Sequence, residues 1–209
     1  MNLSFGGLRI YCYNESNSTQ LLEFNITVYI GSLTSDEVYA SYNCDNPVII
    51  TSADVPTGLV VISVSADGYR PRIFYKYFEP PVWDTIYAYL PPENESQLYY
   101  IGVEDRYGSA IPDAYITIQK IINNSYVNIS VLRTRGDGSA DVYLIPGDSY
   151  RLKIEKTGYD MRVESLIPSE TQYIYIFKIY SSGNLPVLSN DEIGKNVILR
   201  FYAEPGKLF

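Results

Sequence analysis

The sequence predicts an all-β protein: two tandem seven-stranded antiparallel β-sandwich domains, then a tail that bears one strand. Three observations carry that expectation. The first 180 residues read as one pattern written twice, 90 residues apart: Leu8, Ile26, Thr27, Pro56, Gly68, Tyr69 and Arg72 recur as Leu98, Ile116, Thr117, Pro146, Gly158, Tyr159 and Arg162. Such a period is too long for a solenoid unit and fits a whole small domain. Val, Ile, Tyr and Phe alternate with polar residues at period two, the signature of half-buried strands, and no stretch sustains a helical period. Turn pairs punctuate the alternation at sandwich spacing: Asn46-Pro47, Asp67-Gly68, Asp137-Gly138, Pro146-Gly147 and Thr157-Gly158.

Taken in order, the first domain (1–91) places strands near 8–13, 24–30, 38–43, 48–51, 60–66, 72–78 and 84–90. Residues 92–97 form a linker, which the preceding Pro91 and Pro92 itself keep short and stiff. The second domain (98–180) places them near 98–104, 114–120, 126–134, 140–144, 150–155, 162–166 and 173–180. The tail (181–209) opens with the hinge-like Ser181-Ser182-Gly183-Asn184 and carries a single strand candidate, 196–202, bounded by Asn190-Asp191 and Pro205-Gly206. A lone apolar strand is unstable in water, so it is expected to add to a sheet edge, of this chain or of a neighbouring copy.

Val103-Glu104-Asp105-Arg106-Tyr107-Gly108 and Ile111-Pro112-Asp113-Ala114-Tyr115-Ile116-Thr117-Ile118, then Thr134, Gly138, Leu144-Ile145-Pro146-Gly147-Asp148-Ser149-Tyr150 and Lys156-Thr157-Gly158-Tyr159, resemble a carboxypeptidase-regulatory-like domain. The first domain is a looser copy, through Val55-Pro56-Thr57-Gly58 and Ala66-Asp67-Gly68-Tyr69. The resemblance implies an Ig-like or transthyretin-like (prealbumin-like) sandwich and a non-catalytic accessory, spacer or adhesion role on surface proteins. Some related adhesin repeats carry a Lys–Asn cross-link between first and last strands. Here Arg9 is the only basic residue of either opening strand and neither closing strand holds Asn, so that cross-link is not expected.

Composition excludes several classes. A net charge of -8 opposes binding to phosphate backbones or anionic membrane surfaces. No apolar run approaches the ~20 residues of a spanning helix. The first six residues have neither a basic start nor an apolar stretch, so no signal peptide is expected in them; either a leader lies outside this sequence or the protein leaves the cell another way, for instance inside a virus particle. There is no histidine and only two cysteines, which removes Ser-His-Asp and Cys-His catalysis, His-based metal sites and a Cys₄ zinc site. No nucleotide-binding loop appears, and no carboxylate pair stands out among 24 acidic residues. No catalytic residue, metal or cofactor is expected.

Asparagine carries the strongest modification signal. Seven Asn-x-Ser/Thr acceptors occur, at Asn2, Asn14, Asn17, Asn25, Asn94, Asn123 and Asn128, where the composition would give roughly two by chance. Asn14, Asn17, Asn94 and Asn123 fall in expected loops, and strand parity turns Asn25 and Asn128 outward. Cys12 has core parity and Cys44 ends a strand; a disulfide between them and two buried thiols are both open, since the repeat sets Gly102 and Thr134 at the matching sites. Arg135-Gly136-Asp137 reads as a hairpin turn rather than a receptor motif. Tyrosine is in excess, 22 of 209 residues, and some strands are apolar on both faces, which a single core cannot cover. Tyr75, Tyr77, Tyr87, Tyr89, Tyr99, Tyr173 and Tyr175 are therefore the expected interaction surface.

These readings meet in a non-enzymatic extracellular structural or assembly protein, a glycosylated subunit of a filament, fibre or surface layer. A virion tail or fibre component and a carbohydrate-binding adhesion module are the alternatives. Expected partners are further copies, other surface or virion proteins, and glycans.

Overall fold

The computed structural model describes residues 6–31, 38–45, 48–51, 57–79 and 82–182, with the backbone alone for 38–45. Asn2, the Asn46-Pro47 turn, Pro56 and the strand candidate 196–202 lie outside the described residues, as does the side chain of Cys44. The described residues contain strands and no helix. In the N-terminal half these are β1 (Gly7–Asn14), β2 (Glu23–Ile30), β3 (Val38–Asp45), β4 (Val48–Thr51), β5 (Gly58–Ser65), β6 (Arg72–Phe78) and β7 (Trp83–Leu90). The C-terminal half holds β8 (Gln97–Glu104), β9 (Tyr115–Ile122), β10 (Ser125–Arg133), β11 (Ser139–Leu144), β12 (Tyr150–Glu155), β13 (Arg162–Leu166) and β14 (Ile174–Lys178). Each lies where the alternation places it, with ends shifted by two residues at most.

The strands form three sheets in the orders β4-β1-β7, β11-β8-β14 and β13-β12-β9-β10-β6-β5-β2-β3. The eight-stranded sheet is two equivalent four-stranded halves, joined by one parallel bridge, Val131↔Phe74. Within those halves the 90-residue repeat holds residue by residue: Ile26↔Val64 recurs as Ile116↔Ile154, and Val64↔Arg72 as Ile154↔Arg162. Even the β-bulge recurs, between Val28 and Tyr29 on β2 against β3, and between Asn128 and Ser130 on β10 against β9.

Two expectations are corrected. The small sheets are mixed rather than antiparallel, because β7 pairs parallel to β1 and β14 parallel to β8. With each strand reversing the last, first and seventh strands point the same way, so closing the sheet between them must be parallel. The exact repeat also fails in these sheets. Leu8, Ile10 and Cys12 are buried in β1, but the buried set in β8 is Tyr99, Ile101 and Val103, one residue later than the repeat requires. Val103, not Gly102, is therefore the structural counterpart of Cys12. The repeat would put Ala140 opposite Leu98, where Tyr143 stands, and Ile176 opposite Tyr100, where Ile174 stands.

Each half has its own core. Leu8, Ile10, Ile26, Ile50, Val60 and Ile62 lie at the centre of the first, and Tyr99, Ile101, Ile116, Ile118, Leu152 and Ile154 at the centre of the second. The cores interlock at the junction: Tyr89 of β7 belongs to the second, while Val131 of β10 packs against the first.

Candidate functional site at the junction of the two halves

The turn after β1 and the first residue of β6 bring two opposite charges into the junction. Glu15 is held in place by its backbone N–H, which donates to the Leu90 carbonyl at 2.9 Å. Its carboxylate pairs with the Arg72 guanidinium, and both side chains are 0% exposed. Arg72 also donates through Nε to the Tyr89 carbonyl at 2.9 Å and, across the junction, to the Tyr143 carbonyl at 2.6 Å. The second half completes the cluster. Tyr150 donates its hydroxyl to Glu15 Oε1 at 2.6 Å, and Lys120 Nζ lies 3.3 Å from that oxygen and 2.6 Å from Asp148 Oδ2. Two carboxylates thus face two cations, and every charged group has a partner. That is the condition under which buried charges are tolerated. Burial first, then the Glu15 carboxylate, raises the Tyr150 phenol above its ordinary pKa, so the phenol stays protonated and keeps donating.

This lock was not legible beforehand. Arg72 stood out as a repeat position, Glu15 only as the middle of an Asn-x-Ser triplet, and Lys120 not at all. Ion pairs between residues 57 and 105 apart leave no local pattern. Around the lock, Tyr13 stacks on Tyr89 with ring centroids 5.0 Å apart, and the Arg70 guanidinium lies 5.0 Å from the Tyr143 ring.

The same junction opens a groove of about 430 Å³ between β6, β7 and β10. It brings together Tyr75, Tyr77 and Tyr87 from the expected tyrosine surface and adds Tyr126 and Asn128. The remaining tyrosines are elsewhere. Tyr89 and Tyr99 are buried at 7% and 0% exposure, which removes them from any surface. Tyr99 packs against Tyr173 and Tyr175, each with centroids 6.0 Å away, and donates to the Ser169 carbonyl at 2.9 Å, pinning the loop between β13 and β14. On the outer side of β14, Ile174, Ile176 and nearby Tyr180 are exposed, so that strand is apolar on both faces as its sequence suggests.

Of the acceptor asparagines, Asn17, Asn25, Asn94, Asn123 and Asn128 are exposed. Asn14 departs from expectation: it is the last residue of β1, half-buried, and its Nδ2 donates to the Tyr69 hydroxyl at 3.2 Å. Cys12 is buried, and desolvation pushes its thiol up to about 12. Arg135 and Asp137 are spent within their own hairpin: Arg135 makes two hydrogen bonds to Asp141 at 2.7 and 2.8 Å, and Asp137 Oδ1 accepts from the Ser139 hydroxyl and N–H. Those bonds hold the Asp137 carboxyl below the usual carboxylate range. Among the described residues no His/Cys/Asp/Glu group is placed to hold a metal ion, and no helix is long and apolar enough to cross a membrane.

No family model matches the chain, and no curated protein matches it in sequence. Among solved structures, a streptococcal ancillary pilin aligns over 88% of this chain and 64% of its own at 13% identity, with a TM-score of 0.35. The chain therefore spans less than two thirds of that pilin. The shaft pilin spaA of Lactobacillus rhamnosus GG aligns over 87% of this chain and 100% of its own at 13% identity and a TM-score of 0.37. The 3-chlorocatechol 1,2-dioxygenase of Rhodococcus opacus 1CP aligns over 56% and 72% at 13% identity and 0.36. Superpositions this loose, to structural proteins and an enzyme alike, leave function to be argued from the chain itself.

Proposed function

We propose that the two halves are tandem seven-stranded sandwich domains of the carboxypeptidase-regulatory-like or transthyretin-like kind, locked end to end as a rigid, non-catalytic unit of an extracellular assembly. The assembly is a filament, fibre or surface layer, and the exposed acceptor asparagines carry its glycans. The single observation that carries this reading is the buried Glu15–Arg72 pair with its partners Tyr150 and Lys120. A flexible linker would leave each half to move alone, the ordinary state of domains in series. The fully buried pair instead favours one orientation, because Tyr150, Lys120 and the Tyr143 carbonyl of the second half supply its remaining partners, and displacing either half would take those hydrogen bonds away. Fixed geometry is what a repeating assembly requires of its unit. Electron microscopy of the native material tests it. Filaments or a lattice with this chain as the repeating unit are expected; particles would redirect the role to a virion, and isolated monomers would overturn it.

A further inference from the structure

We infer that the groove between β6, β7 and β10 is the seat of an N-linked glycan carried by Asn128 on the same chain. This rests on the reading of the protein as an exported glycoprotein. The argument begins with the bulge in β10. In a regular strand Asn128 and Ser130 would share a face, with Ile129 opposite. The irregularity between Asn128 and Ser130 leaves Ile129 and Ser130 both buried, at 0% and 1% exposure, while Asn128 stays at the surface. The Ser130 hydroxyl is used in the junction, donating to the Ile73 carbonyl at 2.8 Å. The acceptor asparagine is thereby held on the groove wall. Its orientation is set as well: Gln119 donates to Asn128 Oδ1 at 2.7 Å, leaving Nδ2, the atom that bonds to the first sugar, for attachment. The equivalent bulge in the first half has Val38 at this position, so the acceptor belongs to the copy that faces the groove.

The groove chemistry suits a sugar. Tyr77, Tyr87 and Tyr126 are 65%, 43% and 51% exposed, far more than aromatic rings in a sheet require. Tyr87 has one face taken by Tyr11, at 5.5 Å, and Tyr126 one face taken by Arg151, at 4.3 Å; each keeps its other face. An apolar ring face beside a hydroxyl matches a pyranose, which presents an apolar C–H face and a polar edge. The volume falls in the ~300–1,000 Å³ range of small-ligand sites. Tethering through Asn128 supplies an effective concentration in the millimolar range, so individually weak ring contacts suffice. Seated there, the glycan covers the exposed tyrosines and spans both halves.

The test compares Asn128→Gln with Asn17→Gln, an exposed acceptor away from the groove, in protein made in a glycosylating and a non-glycosylating host. In the glycosylated protein Asn128→Gln should lower the melting temperature by several degrees and raise nitration of Tyr77, Tyr87 and Tyr126 severalfold. Asn17→Gln should change neither, and in the unglycosylated protein both variants should match the parent. Sugar on other acceptors but not on Asn128 overturns the inference, as does an Asn128→Gln effect no larger than that of Asn17→Gln. Saturable binding of a free oligosaccharide in the groove of the native glycoprotein overturns it too, since a seated glycan leaves no room. Absence of sugar from every acceptor in native material refutes the exported-glycoprotein reading first, and this inference with it.

Discussion

Replacing Glu15 with alanine should be among the most damaging single changes available in this protein. The substitution leaves the wholly buried Arg72 guanidinium with the Tyr89 and Tyr143 carbonyls, at 2.9 and 2.6 Å, as its partners among the described residues, and removes the acceptor of the Tyr150 hydroxyl. Stripping one partner from a buried pair costs about 3–5 kcal/mol. For a chain of this size each kcal/mol moves the melting temperature by roughly 2–4 °C, so a fall of roughly 6–20 °C is expected. Tyr150→Phe removes only a neutral donor and should cost about 1–3 kcal/mol. The double variant Glu15→Leu/Arg72→Met takes both charges out together and should recover most of the loss, because the penalty lies in the stranded charge and not in the missing attraction. Differential scanning calorimetry reads all three, and Glu15→Ala should also split one transition into two as the halves uncouple. A Glu15→Ala melting temperature within about 2 °C of the parent, or a double variant as damaged as the sum of the singles, would refute the reasoning.

Three further outcomes are expected. Burial raises the Cys12 thiol from 9.0 to about 12 and the Tyr99 phenol from 10.0 to about 12, and raises Tyr150 as well. Groups raised in the folded state stabilise fully below their unfolded values and lose that contribution as pH climbs. The melting temperature should therefore hold up to about pH 9 and fall steeply toward 12, and Tyr150→Phe should flatten the decline. Gly138→Ala should cost about 1–3 kcal/mol in a thermal melt, because its φ is +74° and a Cβ there would meet Val103 O at 2.8 Å and Ile111 N at 2.9 Å. Gly136→Ala, two residues away with open space around it, should leave the melt unchanged. Truncation after Ser182 tests the tail: a lower melting temperature in an unchanged monomer marks residues 196–202 as an edge strand of their own chain. Lost assembly with both halves folded marks a strand donated to the next copy, and no change in either would refute a structural role for the tail.

What the sequence determined on its own was local and periodic. Alternation at period two located the fourteen strands of the described residues, since a half-buried strand must show one apolar side wherever it lies. The 90-residue repeat foretold the register of β2, β5 and β6 against β9, β12 and β13, where both copies keep the same hairpins and the same bulge. Outward parity gave the exposure of Asn25, and Asp137-Gly138 gave its turn. The rest depended on contacts between residues far apart in the chain. Leu98 matches Leu8 by letter but not by facing, because the strands of the small sheets are set by their partners across the core and slip against the repeat. Tyr77 and Tyr99 carry the same side chain, yet one lies on a groove wall and the other in the core. Glu15 and Lys120 carry no signal of a buried cluster where they stand in sequence, and Arg72 and Tyr150 stand out only as parts of the repeat and of the family resemblance. In the folded chain Glu15 and Arg72 are wholly removed from water and Tyr150 and Lys120 reach them from the other half, and that meeting of residues far apart in sequence is what joins four polar residues into one cluster at the junction.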